Sequence, residues 1–229
     1  MTVRVIAFDL DDTLWPVRPV IMGAEKALNR WLGESIREWP AAARNMSSIR
    51  ETILANDPSL SYQLTELRCQ CIAHALHLRG YEKARQIAEE AMAVFLHARH
   101  EVDYFDGTES CLSELSTRFT LGALSNGNAD VRRLSIASHF SFSFSAEDVG
   151  APKPAPNLFE AALSETDATP DEVVYVGDDP ILDIDAANRF GMRSIRVING
   201  KTSDKEGETE PDLTIEYIRD LPEAIGRLS

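Results

Sequence analysis

The chain alternates short apolar runs with longer amphipathic stretches, and this pattern predicts most of its secondary structure. The apolar runs are typical of buried strands and are Val3–Phe8, Phe119–Leu124, Val173–Val176, Ser194–Ile198 and Leu213–Ile215. The segment Phe140–Ser145 alternates Phe with Ser at a period of two, which indicates the end of a half-buried strand. Strands separated by helices predict an α/β fold with a Rossmann-like parallel sheet. In such sheets, ligands bind at the carboxyl ends of the strands.

One interval, from about residue 18 to residue 100, breaks this alternation because it holds no strand-like run. Its pattern predicts four helices, which are Val20–Ser35, Ala41–Ala55, Ser59–Arg79 and Tyr81–Arg99. An all-helical insert in an α/β chain predicts two domains. These are an α/β core of residues 1–17 and 104–229, and a helical-bundle domain of residues 18–103. The polar stretch Asn199–Pro211 predicts a solvated loop.

Composition and charge narrow the class of function. The 229 residues are 44% hydrophobic, which is enough to build a sizeable core. The formal net charge of −14 argues against a nucleic-acid partner, although a local pocket can still bind a small phosphorylated molecule. No apolar run approaches the roughly 18 residues of a membrane span, and no signal-peptide pattern is found. Together with an odd, low count of three cysteines, these features predict a cytoplasmic protein without a membrane partner.

Carboxylates collect directly after two of the predicted strands. The two groups are Asp9, Asp11 and Asp12 after Val3–Phe8, and Asp178, Asp179 and Asp183 after Val173–Val176. Like charges this close repel one another, so such groups indicate a bound cation or a catalytic role. Polar turns and helix capping would explain some of these residues but not all of them. A calcium-binding EF-hand is excluded, because its glycine and glutamate positions hold Leu14 and Val20.

Two further polar groups lie in predicted turns. Ser125, Asn126 and Gly127 follow Phe119–Leu124 and supply a hydroxyl, an amide and backbone N–H groups that can bind an oxyanion. Lys153 lies between two prolines and is the single lysine from residue 84 to residue 200. Taken alone, each group is compatible with an ordinary surface turn. Taken together, the four groups provide oxygen ligands suited to Mg²⁺, and a hydroxyl and a cation suited to a phosphoryl group.

The order of these motifs resembles the haloacid dehalogenase superfamily over nearly the whole chain. The matching residues are Asp9-x-Asp11-x-Thr13, Ser125, Lys153 and Gly177-Asp178-x-x-x-x-Asp183. Receiver domains of bacterial signalling use similar parts, but they have no helical insert and no second acid two residues after the first. Within the superfamily, the stretches FDLDDTLW, SNGNA and VGDD resemble bacterial flavin mononucleotide phosphatases. Ser125 departs from those enzymes, which carry Thr there and so keep the hydroxyl.

The resemblance implies a role for each acid. Asp9 would be the nucleophile that forms a phosphoaspartate, and Asp11 would be the general acid and base. Asp9, the backbone of Asp11 and Asp178 would bind Mg²⁺, while Asp183 would hold the waters of the ion, with Asp179 as a second candidate for that task. Members that act as dehalogenases lack an acid at the position of Asp11, whereas phosphatases and phosphomutases carry one.

The resemblance also implies how substrate binding is divided. The phosphoryl group would contact Ser125, Asn126, Gly127 and Lys153. The helical insert corresponds to the C1 cap of the superfamily and would bind the rest of a small phosphorylated metabolite. Candidate contacts for a planar ring and its polar edge are Trp15, Arg18 and Arg68.

These observations predict a Mg²⁺-dependent phosphatase that acts on flavin mononucleotide or on the ribitylamino-uracil phosphate of riboflavin synthesis. Enzyme alternatives are a phosphatase for phosphoglycolate or nucleoside monophosphates, and a phosphomutase. A phosphate-binding signalling module is the non-enzyme alternative. Zinc is not predicted from the set Cys69, Cys71, His74 and His77. On a helix with about 100° per residue, these four side chains diverge.

Overall fold

The structure, a computed structural model, describes residues 2–200 and 205–228. The chain divides into two compact units. One unit comprises residues 1–17 and 102–229, and the other comprises residues 18–101. In the described residues, no helix is both long enough and apolar enough to cross a membrane.

The first unit is built on a parallel six-stranded sheet. Its strands are β1 (Val5–Phe8), β2 (Thr120–Ser125), β3 (Phe142–Ser145), β4 (Val173–Gly177), β5 (Arg193–Val197) and β6 (Leu213–Ile215). The order is β3-β2-β1-β4-β5-β6 and every neighbouring pair is parallel. Val5 pairs with Thr120 of β2 and with Val173 of β4, so the carboxyl ends of these three strands lie side by side. The predicted fold class is confirmed, and each predicted strand agrees with an observed one to within two residues.

The second unit is helical and has its own apolar core. Its helices are α1 (Val17–Ser35), α2 (Trp39–Ala42), α3 (Met46–Asn56), α4 (Leu64–His77) and α5 (Ala84–Arg99). Helix α1 begins three residues earlier than predicted, because Pro19 lies in its first turn, where a missing N–H removes no helical hydrogen bond. The prediction of one helix over Ala41–Ala55 is wrong. Asn45, with φ −102° and ψ 9°, leaves the helical conformation between α2 and α3.

The remaining helices belong to the first unit. They are α6 (Thr108–Leu115), α7 (Ala146–Val149), α8 (Asn157–Thr166), α9 (Ala186–Phe190) and α10 (Leu221–Leu228). A π-helical turn, Pro180–Asp185, lies between β4 and α9. Of the predicted loop Asn199–Pro211, residues 201–204 lie outside the described residues. The part after them is exposed, yet buried Asp185 accepts the N–H groups of Glu208 and Thr209 at 2.8 Å each, which anchors the loop to this turn.

Candidate active site

The predicted core residues meet in one cavity of about 270 Å³ at the carboxyl edge of the sheet. The cavity is lined by Asp9, Asp11, Asp12, Ser125, Asn126, Gly127, Lys153, Asp178, Asp179, Leu182, Asp183 and Lys205. They come from the carboxyl ends of β1, β2 and β4 and the segments that follow these strands, from the loop before α8, and from the loop anchored by Asp185. Parallel pairing explains the meeting, since adjacent strands of the same direction end at the same edge of the sheet.

Lys153 is the central cation of this cavity. Its side chain is 2% exposed, and its Nζ donates to Oδ1 of Asp9 at 2.7 Å, Oδ1 of Asp183 at 2.7 Å and the hydroxyl of Tyr175 at 2.6 Å. These three acceptors use all three hydrogens of the ammonium group. Burial alone would lower the pKa of Lys153, but the carboxylates of Asp183 and Asp9 raise this pKa well above its ordinary value. Lys153 is therefore a fixed positive charge.

The loop after β2 holds Lys153 in place. The side chain of Asn126 donates from Nδ2 to the carbonyl of Lys153 at 2.9 Å, and its Oδ1 accepts the Lys153 N–H at 2.7 Å. Both ends of the Asn126 amide are thus engaged, so a substrate contact from this residue would have to come from its backbone. The Gly127 N–H donates to Ser125 Oγ at 3.0 Å. Ser125 is 2% exposed, and because its oxygen accepts this bond, its hydroxyl hydrogen can point to an anion.

Three carboxylates form a tight cluster beside Lys153. Asp9, Asp178 and Asp183 each offer one oxygen, and these oxygens lie within 4.8 Å of one another. The Thr13 hydroxyl lies 3.2 Å from Oδ2 of Asp9 and 3.4 Å from Oδ1 of Asp178. Burial raises the pKa of Asp9 well above its ordinary value. Lys153 opposes this shift, and the nearby carboxylates add to it.

The donor set fits a hard divalent cation. Three carboxylates and one ammonium carry a formal charge of −3 + 1 = −2, which a dication would neutralise. Oxygen ligands of this kind are those that Mg²⁺ prefers. Within the described ranges, no other group of His, Cys, Asp and Glu side chains has this spacing. The Asp11 side chain is not in the cluster; the ligand predicted from Asp11 is its backbone carbonyl, which stays a prediction. The side-chain Oδ1 of Asp11 accepts the indole N–H of Trp15 at 2.9 Å.

Asp179 and Asp183 have different surroundings. Asp179 Oδ1 accepts the N–H groups of Ile181 at 2.9 Å and Leu182 at 3.0 Å, so Asp179 caps the turn that follows β4. Asp183 is 2% exposed, and its Oδ1 contacts Lys153. The glycine before these acids is required by packing, because a Cβ at Gly177 would lie 2.4 Å from Cγ of Asp183. Asp183, and not Asp179, is the acid built into the cluster.

The contacts in the structure do not support a substrate-binding role for the three residues predicted outside the core motifs. Trp15 is fully buried, with its ring centroid 6.1 Å from that of Tyr104, so it offers no aromatic face to a ligand. Arg68 forms an ion pair with Glu25 at 2.7 Å and lies over the ring of Phe95 at 4.1 Å, which are structural contacts inside the helical unit. Arg18 is exposed on α1, and no described contact gives it a binding role.

Sequence reasoning missed two residues of the site. Tyr175 lies inside an apolar run, and β4 is buried along its whole length, so no alternation of polar and apolar positions marks it. Lys205 lies in the loop that was predicted to be merely solvated, and its Nζ lies 2.5 Å from Oδ2 of Asp179. Only the tertiary path of that loop brings Lys205 to the cavity.

Comparisons with known proteins agree with the fold and the motifs. The profile of the haloacid dehalogenase-like hydrolases matches residues 3–191. The 5-amino-6-(5-phospho-D-ribitylamino)uracil phosphatase YigB of Escherichia coli K12 is 28% identical over 207 residues, covering 86% of this chain and 85% of YigB. The glyceraldehyde 3-phosphate phosphatase of Methanopyrus kandleri is 25% identical and covers 99% of both chains.

A solved structure is also similar. The crystal structure named as 2-haloacid dehalogenase from Pseudomonas syringae pv. Tomato DC3000 has a TM-score of 0.92 and 40% identity, with 100% of both chains covered. This likeness and the family profile, which covers most of the chain, point to the same group of enzymes. The chain belongs to the haloacid dehalogenase-like hydrolase family.

Proposed function

We propose that this protein is a Mg²⁺-dependent phosphatase that hydrolyses a small phosphomonoester through a phosphoaspartate on Asp9. The observation that carries the proposal is the ion pair between Asp9 and Lys153 at 2.7 Å, in the same cavity as the buried hydroxyl of Ser125. A nucleophile, a cation and a hydroxyl donor in one cavity are the parts that phosphoryl transfer requires. Two phosphatases that resemble the chain over most of its length support the same reaction class.

Each residue has a defined task in this reaction. Asp9 attacks phosphorus, the Ser125 hydroxyl donates to a phosphoryl oxygen, and the positive charge of Lys153 offsets the charge of the phosphoryl oxygens. Asp11 gives a proton to the leaving oxygen as the P–O bond breaks. It later takes a proton from the water that attacks the phosphoaspartate, which restores Asp9 and releases phosphate. The two hydrogen bonds between the Asn126 side chain and the Lys153 backbone keep Lys153 in position through both steps.

Asp9, Asp178 and Asp183 would hold the metal ion. When bound, Mg²⁺ supplies positive charge that stabilises the ionised Asp9 and the phosphoryl oxygens. Without that charge, the raised pKa of Asp9 leaves a larger share of this carboxyl protonated and unable to attack. The burial that raises the pKa of Asp9 therefore supports the proposed requirement for a metal.

We further propose that the substrate carries a phosphorylated ribityl chain, as in flavin mononucleotide or the ribitylamino-uracil phosphate. The support is sequence likeness to YigB, whose name includes that uracil derivative, and the FDLDDTLW, SNGNA and VGDD stretches. The sheet-edge cavity would bind the phosphoryl group, so we propose that residues 18–103, which resemble the C1 cap of the superfamily, select the leaving group of a compact metabolite.

Dehalogenation is the second candidate, because the 40% identical structure is named as a 2-haloacid dehalogenase. In that reaction, Asp9 would attack carbon and a halide would leave. A halide needs no proton, so the Asp11 carboxylate would have no leaving group to protonate. The Asp11 side chain at the cavity thus favours the phosphatase.

The test is a panel assay with purified protein and Mg²⁺. Phosphate release is measured from flavin mononucleotide, the ribitylamino-uracil phosphate, phosphoglycolate, glyceraldehyde 3-phosphate and pyrimidine nucleoside monophosphates, and halide release from 2-chloropropionate. We expect phosphate release, absent in Asp9→Asn, with the highest kcat/KM for the two ribityl phosphates. Halide release without phosphate release would refute the phosphatase. A tenfold preference for phosphoglycolate or a nucleotide, about 1.4 kcal/mol of transition-state binding, would refute the substrate alone.

A further inference from the structure

The loop from Asp9 to Val17 contains a contact that the reaction as described above does not use. The indole N–H of Trp15 donates to Oδ1 of Asp11 at 2.9 Å. Trp15 has no exposed surface, and its ring meets Tyr104 edge to face at an interplanar angle of 68°. Such an indole cannot turn without opening its packing, so the direction of the N–H is fixed.

The backbone reinforces this arrangement. Asp11 and Trp15 form an isolated β-bridge, and the N–H of Asp12 donates to the carbonyl of Trp15 at 2.7 Å. The side chain of Asp12 in turn accepts the N–H of Val17 at 2.9 Å. The chain thus folds back on itself, and it places an indole donor four residues after the acid with little freedom between the two groups.

We propose that Trp15 is a positioning residue that fixes the rotamer of Asp11, an inference that rests on the proposed phosphatase function. Oδ2 of Asp11 is then the oxygen that transfers the proton. Asp11 is partly exposed at the cavity, and the fixed indole N–H restricts the direction of its Oδ1. An oxygen that accepts an N–H is the poorer place for the mobile proton, which leaves the other oxygen for that proton. Trp15 itself touches neither the substrate nor phosphorus.

The proton transfers of the reaction show which step depends on the orientation of Asp11. In the first half, the Asp9–P bond forms, the P–O bond breaks, and the proton on Asp11 Oδ2 moves to the leaving oxygen. In the second half, water attacks phosphorus, its proton moves to Oδ2, and the Asp9–P bond breaks. A strongly basic leaving oxygen needs the proton that Asp11 donates in the first half. Nitrophenolate is stable as an anion and can leave without that proton. Misorientation of Asp11 therefore slows the first half, and so lowers kcat/KM, more for a strongly basic leaving group than for nitrophenolate, whereas the second half is common to all substrates.

The test compares Trp15→Phe with the unsubstituted protein on p-nitrophenyl, phenyl and benzyl phosphate, which are similar in size but differ in leaving-group basicity. We expect kcat/KM for benzyl phosphate, which reports the first half alone, to fall about tenfold, less than the 10²–10⁴-fold that a general acid contributes, because the acid is misplaced and not removed. We expect kcat/KM for p-nitrophenyl phosphate to change less than about threefold. Trp39→Phe is the matched control, since that buried indole donates to Asn29 at 2.9 Å inside the helical unit. Its kcat/KM ratios among the three substrates should equal those of the unsubstituted protein.

Two further variants distinguish the loss of the Trp15 hydrogen bond from a loss of packing around its ring. Site-specific replacement of Trp15 by benzothienylalanine, which keeps the ring shape and exchanges N–H for sulfur, should give the same selective loss as Trp15→Phe. Adding Trp15→Phe to Asp11→Asn should cause no additional selective loss, because the two act on one proton. Equal losses of kcat/KM on all three substrates, or an unchanged or higher kcat/KM on benzyl phosphate, would overturn the inference alone. Absence of phosphate release by the unsubstituted protein would overturn the proposed function, and the inference with it.

Discussion

Asp9→Asn should abolish turnover and yet make the metal-free protein more stable at neutral pH. The substitution keeps the shape of the side chain and removes one of the three negative charges of the cluster. The introduced amide oxygen can still accept a hydrogen bond from Lys153, which also keeps its bonds to Asp183 and Tyr175. The variant therefore isolates the electrostatic cost of holding a nucleophile in a buried acidic site.

The size of the effect follows from the distances. With an effective dielectric constant of about 20, a unit charge on Asp9 repels those of Asp178 and Asp183, each within 4.8 Å, by at least about 7 kcal/mol in total. The attraction to Lys153 at 2.7 Å returns about 6 kcal/mol. These two quantities nearly cancel, so the desolvation of Asp9 is what leaves its charge disfavoured on balance. In a chain of this size, 1 kcal/mol corresponds to roughly 2–4 °C in Tm.

The assay is denaturant unfolding of both proteins in a chelator across a pH series. Because the folded pKa of Asp9 is raised, the stability tied to its proton is fully present below the ordinary Asp pKa of 3.8 and is lost as pH rises through the folded pKa. The two proteins should therefore match at low pH, and the variant should gain its advantage as pH increases. With Mg²⁺ at about 100 times Kd, the unsubstituted protein should gain about 2.7 kcal/mol and reverse the order.

The opposite result would refute the charge balance. If Asp9→Asn were less stable than the unsubstituted protein by about 1 kcal/mol or more in chelator at neutral pH, the attraction of Lys153 would dominate the cluster. The expected need for a dication would then lose its electrostatic basis. An identical response of both proteins to Mg²⁺ would remove Asp9 from the metal site.

Three other outcomes are expected. Chelation should stop phosphate release and Mg²⁺ should restore it, with Ca²⁺ less effective because it prefers more ligands and looser geometry; full activity after exhaustive chelation would contradict the carboxylate site. Gly177→Ala should lower kcat and Mg²⁺ affinity at least tenfold, because the added Cβ would displace Asp183. Gly33→Ala on α1 is the control and should leave both quantities unchanged, because a Cβ there meets nothing within 4 Å. Tyr175→Phe should cost about 1–3 kcal/mol in unfolding free energy, because Lys153 loses one buried acceptor; no measurable loss would show that Lys153 finds another partner.

Much of the site could be predicted from the sequence because its parts are carried by short local motifs. Acids, a hydroxyl and a lysine at predicted strand ends must converge if the strands are parallel and adjacent. Asp9, Ser125 and Lys153 meet in one cavity for this reason. The roles of Asp179 and Asn126 were harder to assign. Whether a carboxylate caps a turn or joins a cluster, and whether an amide clamps a loop or faces the cavity, depends on side-chain directions that residue spacing does not specify.

By itself, the sequence determined the α/β class, the helical insert and the residue types at the reacting end of the sheet. Hydrophobic periodicity and turn residues act over a few positions, and these features need nothing more. Only the tertiary structure decided which atoms meet. In that structure Trp15 packs against Tyr104 and donates its N–H to Asp11, Lys153 donates to Tyr175, and Lys205 pairs with Asp179. Apart from the contact between Trp15 and Asp11, each of these contacts joins residues at least 22 positions apart in sequence. All of them depend on how the buried side chains pack, which no local pattern records.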